Sequence, residues 1–124
     1  MKAEVSFVKR VAAGESISYG LRHTFDRDTT VATVPIGYAD GVPRGLSNRA
    51  DVLIGGRRRR IVGVITMDQL MVDCGDDPVS VGDEVVLLGV QGTEAVEAWE
   101  WASLLDTIAY EVICGFGPRL PRVR

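Results

Sequence analysis

The chain has 124 residues, of which 46% are hydrophobic and 25% are charged, proportions that are typical of one soluble globular domain and exclude a disordered segment. Its formal net charge of -3 argues against a nucleic-acid partner, because such proteins usually carry a strongly basic surface. No window approaches the roughly eighteen consecutive apolar residues of a membrane helix, and residues 1–5 lack the apolar core of a signal peptide, so we predict a cytoplasmic protein without a membrane partner.

The first third of the chain has the pattern of β-strands. Alternation of apolar and polar side chains over residues 3–11 predicts a strand with one buried face. Residues 16–20 predict a short second strand that forms a hairpin with the first, and the polar stretch 22–28 is expected to lie outside the core. Residues 29–36 are rich in β-branched side chains and predict a central strand.

That central strand ends in the motif Gly37-Tyr38-Ala39-Asp40-Gly41. Glycine permits positive φ and close backbone approach, so we expect a tight turn that presents Tyr38 and Asp40 at the end of the strand. Functional residues often lie on such turns. In the alternative interpretation, Tyr38 caps the core and Asp40 accepts hydrogen bonds from the amides of the turn.

Residues 51–54 and 57–62 predict a β-hairpin joined by Gly55-Gly56. The four consecutive arginines 57–60 resemble a basic nucleic-acid patch. The absence of interleaved aromatic residues and the acidic balance of the chain favour the alternative, a solvated sheet edge that is protected by charge.

Residues 63–73 predict two apolar strand segments that are interrupted by Met67-Asp68-Gln69. A kink or bulge at this point would aim Met67 and Asp68 away from the core. Residues 85–88 predict a further short, buried strand.

The C-terminal part of the chain predicts helices. Residues 93–105 predict the clearest helix, with Thr93 as N-cap, and Trp99 and Trp101 cannot both face the core. Residues 106–114 predict a second short helix.

An extended ending is predicted to place Pro121 on a sheet edge. Together these elements predict one domain over residues 1–124, a mainly β fold: an antiparallel β-barrel-like domain of about eight strands with one or two helices near the C-terminus.

Most familiar catalytic groups are absent from this sequence. Cys74 and Cys114 are separated by 40 residues and, with the single histidine His23, match no familiar metal site, so we predict no metal. We interpret both cysteines as buried thiols of a reduced cytosolic protein and His23 as a surface residue. Lys2 and Lys9 are the only lysines, which leaves few candidates for Schiff-base chemistry.

The three tyrosines Tyr19, Tyr38 and Tyr110 each lie beside a break in the apolar pattern. One of them could act as an acid or base, and packing is the alternative role. A free phenol titrates near ~10, so activity at neutral pH requires a shift of ~3 units, or about 4 kcal/mol of preferential phenolate stabilisation. Arginine or an organised hydrogen-bond network would have to supply it.

An ordered set of blocks over nearly the whole sequence closely resembles the C-terminal domain of alanine racemase. The blocks are residues 5–9, 17–20, 35–41, 63–69, 81–85, 107–111 and 119–122. The resemblance implies a homodimeric enzyme whose N-terminal (β/α)8 barrel binds pyridoxal 5'-phosphate through a lysine. That barrel is not present in this sequence, and we expect the isolated chain to be inactive.

The resemblance also implies roles for single residues. Tyr19 matches the catalytic tyrosine that exchanges a proton with the substrate Cα in the partner subunit. Met67 matches a residue near the carboxylate of the alanine substrate, Tyr38 a residue of the corridor through which substrate enters, and Asp68 its gate. Tyr110 matches the tyrosine that contacts the cofactor phosphate in its own subunit.

Two positions depart from the family pattern. The family often has arginine at the position of Val64 and asparagine at that of Ala109, so the gating of the corridor and the range of substrates are left open. The implied function is the supply of D-alanine for the cell wall. The alternative is a non-enzymatic, stand-alone β-barrel interaction module that kept the fold and lost the chemistry.

Overall fold

The computed structural model describes residues 1–17 and 23–122. The strands in this part of the chain are β1 Lys2–Glu4, β2 Phe7–Val11, β3 Ser16–Ile17, β4 His23–Thr24, β5 Thr29–Val34, β6 Asp51–Ile54, β7 Arg57–Val62, β8 Leu70–Gly75, β9 Glu84–Val86, β10 Gly89–Gln91 and β11 Glu94–Val96. The helices are α1 Ala98–Leu105 and α2 Ala109–Cys114, with single 3-10 turns at Tyr38–Asp40 and Arg44–Leu46.

Seven strands form one antiparallel sheet in the order β1-β9-β6-β7-β8-β5-β2, which curls into a half-barrel. The remaining four strands form the ribbons β3-β4 and β10-β11. Both helices follow the last strand. The predicted fold class is therefore confirmed, with a mainly β, antiparallel, barrel-like sheet and two helices near the C-terminus.

The core lies between the curled sheet and helix α1. Val52 of β6 and Val72 of β8 are fully buried, and Trp101 of α1 is only 1% exposed. Trp99 is 60% exposed, which confirms that the two tryptophans cannot share the core. Burial of a tryptophan side chain contributes a large apolar area, so Trp101 is the main anchor of α1 on the sheet.

The predicted single strand over residues 3–11 is wrong, because this segment forms two strands at opposite edges of the sheet. The alternation breaks at Phe7, which is 57% exposed. Val5 donates a backbone hydrogen bond to Asp83 at 2.9 Å, and Ser6 donates one to Thr33 at 2.9 Å. The chain therefore crosses from one sheet edge to the other between adjacent residues, which is possible only because the sheet curls.

The predicted hairpin between the first two strands is also wrong. Strand β3 pairs with β4, whereas β2 pairs with β5. Phe25 is 3% exposed, so the described part of the predicted polar stretch, residues 23–28, contributes to the core after all. His23 lies in β4, partly buried and edge-on to Phe25 at 4.7 Å between ring centroids, and is not a fully solvated surface residue.

Near the C-terminus, the predicted helix begins later than expected. Residues 94–96 pair with β10, so Thr93 is not a cap. Glu97 is the N-cap of α1, and its backbone N–H donates to the Glu100 carboxylate at 2.8 Å, which is half of a capping box. Residues 115–122 form turns and irregular segments without a strand, so the predicted edge-strand position of Pro121 is wrong.

The four consecutive arginines lie on the half of β7 that pairs with β6 alone, whereas Ile61 and Val62 pair with β8 as well, so nothing contradicts the predicted charged edge at these four residues. Each of them has a carboxylate partner. The pairs include Arg57 and Arg59 with Asp77, Arg58 with Glu100 at 2.7 Å and Glu94 at 3.6 Å, and Arg60 with Asp51 at 2.8 Å. These carboxylates neutralise the cluster locally, which leaves it without the excess positive charge that binding to phosphates would require.

The two cysteines differ in their environments. Cys74 is fully buried, and desolvation raises the pKa of its thiol to about 11. Cys114 is exposed at the end of α2, so the prediction that both thiols are buried is wrong for this residue.

We expect one thiol per native chain to react with an excess of a disulfide reagent, and two after denaturation. The thiolate is the reactive form, and burial together with the raised pKa keeps Cys74 protonated and inaccessible. Absorbance of the released thiolate measures the count. Replacing Cys114 with serine should leave no reactive thiol in the native chain, and a reactive thiol that persists in this variant would contradict the assignment.

Within the described residues, no helix is long and apolar enough to cross a membrane.

Candidate functional site

The turn after β5 separates the two side chains that the sequence placed together. Residues Tyr38–Asp40 form a 3-10 turn that ends at Gly41, whose φ is +101°. Tyr38 is 46% exposed, whereas Asp40 is only 3% exposed and accepts a hydrogen bond from the Gly37 backbone N–H at 3.1 Å. Tyr38 is therefore presented outward as expected, but Asp40 satisfies the turn, as in the alternative interpretation.

The loop between β7 and β8 packs against one side of this turn. Tyr38 donates a backbone hydrogen bond to Thr66 at 2.9 Å, and Ala39 donates one to Met67 at 3.1 Å. A Cβ atom at Gly37 would overlap the Thr66 carbonyl oxygen, so only glycine allows this approach. Two backbone hydrogen bonds thus join the turn of residues 37–41 to the loop of residues 66–69, which is distant from it in sequence.

Met67 and Asp68 point away from the core, as the sequence predicted. Met67 is 51% exposed, and the Asp68 side chain is 67% exposed. The interruption is a full loop between two strands and not a bulge within one strand. Met67 and Tyr38 therefore lie on adjacent loops of one exposed surface.

The segment after α2 packs against the other side of the turn. Gly117 donates a backbone hydrogen bond to Asp40 at 3.1 Å. A Cβ atom at Gly41 would lie 2.5 Å from the Gly115 carbonyl oxygen, and one at Gly117 would lie 2.8 Å from the Ala39 oxygen. The turn is thus enclosed by backbone on both sides.

An arginine near the C-terminus joins the two loops through their carboxylates. Arg119 contacts Asp40 through Nε at 2.8 Å and Nη2 at 3.2 Å, and contacts Asp68 through Nη1 at 3.0 Å. The hydrogen bond to Asp68 raises the pKa of the Arg119 guanidinium, and the charge of Asp40 raises it further. Sequence reasoning missed this residue, although it lies in the last block of the family resemblance.

Tyr38 also faces helix α2 across a groove of about 290 Å³, whose lining includes Leu105 and Val112. Three exposed apolar side chains lie on or next to this helix. Ile108 is 63% exposed, Tyr110 is 79% exposed and Ile113 is 53% exposed.

The structure thus places four of the five predicted site residues in connected loops and one helix. The turn of Tyr38 is hydrogen-bonded to the loop of Met67 and Asp68, and Tyr110 lies on α2, the helix across the groove from Tyr38. Tyr19 lies outside the described residues.

This surface does not fit a covalent pyridoxal phosphate site by itself. Lys2 lies on β1 with its Nζ 3.5 Å from Glu84, and Lys9 lies on β2. Neither strand contributes to the loops around Tyr38. The described residues also include no group of three or more His, Cys, Asp or Glu that could hold a metal ion.

Comparison with known proteins gives one consistent result. The family model described as "Alanine racemase, C-terminal domain" matches residues 1–124. The alanine racemase of Symbiobacterium thermophilum is 59% identical over 122 residues, which are 98% of this chain and 32% of that protein.

Solved structures agree with the sequence match. The crystal structure of alanine racemase from E. faecalis is 44% identical with a TM-score of 0.92, over 98% of this chain and 32% of that one. The structure of alanine racemase from Bartonella henselae with covalently bound pyridoxal phosphate is 34% identical with a TM-score of 0.90, over 98% and 33%. The chain therefore spans about a third of the length of these relatives.

Proposed function

Because the chain belongs to the family of alanine racemase C-terminal domains, we propose that it is the β domain of a pyridoxal-phosphate-dependent racemase that interconverts L- and D-alanine. The product would supply D-alanine for the cell wall in the cytoplasm. The observation that carries this proposal is the outward presentation of Tyr38 and Met67 on two loops that are locked together by backbone hydrogen bonds.

Racemisation needs a proton acceptor on one side of the substrate Cα and a proton donor on the other. In this proposal Tyr19 is the group on one side, and a lysine of the partner subunit's barrel is the group on the other side. Pyridoxal phosphate, when bound by the barrel, supplies the electron sink that makes the Cα proton acidic. The division of these groups between two subunits accounts for the lack of a lysine near Tyr38 in this chain.

The other site residues would bind and orient the substrate and the cofactor. Met67 would lie near the substrate carboxylate, Tyr38 would line the corridor through which alanine enters, and Asp68 would act as its gate. The hydroxyl group of Tyr110 would donate a hydrogen bond to the cofactor phosphate in its own subunit. The exposure of all four side chains supports these roles, since each is accessible to a second domain.

The proposed partners are the barrel domains of the same subunit and of the partner subunit in a homodimer. Large apolar side chains that are exposed together commonly mark an interaction surface. Ile108, Tyr110 and Ile113 are all exposed on or next to α2, whose Glu111 and Val112 line the groove at Tyr38. The match to only a third of each relative supports the same conclusion, because the relatives contain a further region to which this surface could dock.

We expect the purified chain to leave the visible absorbance of added pyridoxal phosphate unchanged and to racemise no alanine. Mixed with the separately purified barrel domain of the Symbiobacterium thermophilum enzyme and the cofactor, it should convert L- to D-alanine, because the mixture contains both proton-transfer groups. A coupled D-amino-acid oxidase assay measures the product. The proposal fails, in favour of a stand-alone interaction module, if the two parts associate but the mixture has no activity.

A further inference from the structure

The guanidinium group of Arg119 connects three oxygen atoms from two carboxylates. Two of its nitrogens contact Asp40 at 2.8 and 3.2 Å, and the third contacts Asp68 at 3.0 Å. The planar fork of arginine matches a carboxylate in this two-point manner, and lysine cannot reproduce it. The contacts span 79 residues to Asp40 and 51 to Asp68.

The two carboxylates differ in burial, so the arginine is fixed at the buried Asp40 and from there holds the exposed Asp68. The Asp40 side chain is 4% exposed, and its carboxylate also accepts the Gly37 backbone N–H. The Asp68 side chain is 67% exposed, and a surface ion pair of this kind contributes little when both partners are free to move. Here the arginine is already held by Asp40, so less side-chain entropy is lost when it also holds Asp68.

Arg119 is poorly suited to bind the carboxylate of a substrate. Two carboxylates and one guanidinium sum to a net charge of -1 at this cluster, which repels an anion. Each of the three guanidinium nitrogens already donates to an aspartate. Any effect of Arg119 on substrate binding must therefore be indirect, through the positions of the two loops that it joins.

From this geometry we infer that Arg119 is a positioning residue, which fixes the loop of Met67 and Asp68 relative to the turn of Tyr38 and so sets the spacing between the Met67 and Tyr38 side chains. The structural part of this inference depends on the contacts alone. Its consequence for alanine rests on the proposed function.

The structural part is tested by amide hydrogen exchange on the full chain. Replacing Arg119 with glutamine or with lysine should speed exchange at Tyr38 and Ala39 by roughly tenfold, because their hydrogen bonds to Thr66 and Met67 open more often. Arg10→Gln is the matched control, since Arg10 is 53% exposed and pairs with Asp76 at 2.7 Å on another part of the surface.

Unchanged exchange at Tyr38 and Ala39 in Arg119→Gln would overturn the inference, as would restoration of the wild-type rate by lysine. A second variant, Asp68→Asn, breaks only the exposed arm of the bridge and leaves Asp40 paired. It should speed exchange at the same two amides by a smaller factor. The double variant should add little to Arg119→Gln alone, because Arg119→Gln already removes the contact between residue 119 and Asp68.

The functional part is tested in the two-part racemase. Arg119→Gln and Arg119→Lys should each raise the KM for L-alanine by roughly tenfold, with a smaller effect on kcat, because the misplaced residue is the one near the substrate carboxylate. A wild-type mixture whose two parts associate but show no activity would reject the proposed function and leave the exchange result standing. An active wild-type mixture with an unchanged KM in both variants would reject the positioning role alone.

Discussion

Replacing Tyr19 with phenylalanine in the two-part racemase should lower the rate of L- to D-alanine conversion by roughly 10²- to 10⁴-fold, the range typical for loss of a positioned general acid or base. Phenylalanine keeps the aromatic ring and removes only the phenolic oxygen. Bringing a phenol from its ordinary pKa of ~10 to neutrality requires about 4 kcal/mol of preferential phenolate stabilisation. In this proposal the assembled site supplies that stabilisation.

A deuterium measurement separates this effect from a folding defect. With one of two proton-transfer groups missing, the remaining group can still remove a Cα proton and return a deuteron from solvent to the same side. The phenylalanine variant should therefore exchange the Cα proton of one enantiomer without inverting it. Mass spectrometry with chiral separation measures both the deuterium incorporated at Cα and the conversion between enantiomers. Equal racemisation by the variant and the wild type would exclude Tyr19 as the catalytic residue.

The second large effect is expected at Gly41, where alanine should lower the free energy of unfolding by about 2 to 5 kcal/mol. The φ of +101° is unfavourable for an L-residue, and the new Cβ atom would lie 2.5 Å from the Gly115 carbonyl oxygen. A small local shift cannot relieve this overlap, because backbone packs against the Tyr38 turn on both sides. Urea denaturation measures the loss.

Gly82→Ala is the matched control for the steric part of this effect. Gly82 has a similar φ of +94°, but a Cβ atom there meets no heavy atom within 4 Å. It should therefore cost only the conformational penalty, roughly 1 to 2 kcal/mol. Equal losses at the two glycines would show that the packing of residues 115–116 against the turn contributes nothing.

Much of the fold could be predicted because the relevant signals are local. The hairpin of β6 and β7 followed from two strand-length segments around Gly55-Gly56, and the pairing begins directly at that turn, where Ile54 lies opposite Arg57. Strand β5 followed from its β-branched residues. The errors arose where local patterns compete with tertiary pairing. Residues 94–96 look helical by composition but pair with β10, and tertiary context often overrides helix propensity in so short a segment.

The candidate site was partly predictable for a different reason. Tyr38 and Met67 each interrupt an apolar pattern, so the sequence indicated that they are not ordinary core residues. Their roles came from the family resemblance, and the residue pattern alone favoured packing over a functional role. Asp40 shows the limit of the pattern, because a carboxylate between two glycines is compatible with both exposure and burial.

The sequence by itself determined the family, the strand-rich class and the outward-facing residues at strand ends, since motif order, residue type and alternation can all be read along the chain. Only the tertiary structure showed that β1 and β2 form opposite edges of one curled sheet, and that Arg119 joins Asp40 to Asp68. Contacts between residues so far apart in sequence depend on the three-dimensional path of the chain, which local patterns do not reveal. Burial of Asp40 was decided in the same way, because the segment that covers it comes from the far end of the chain.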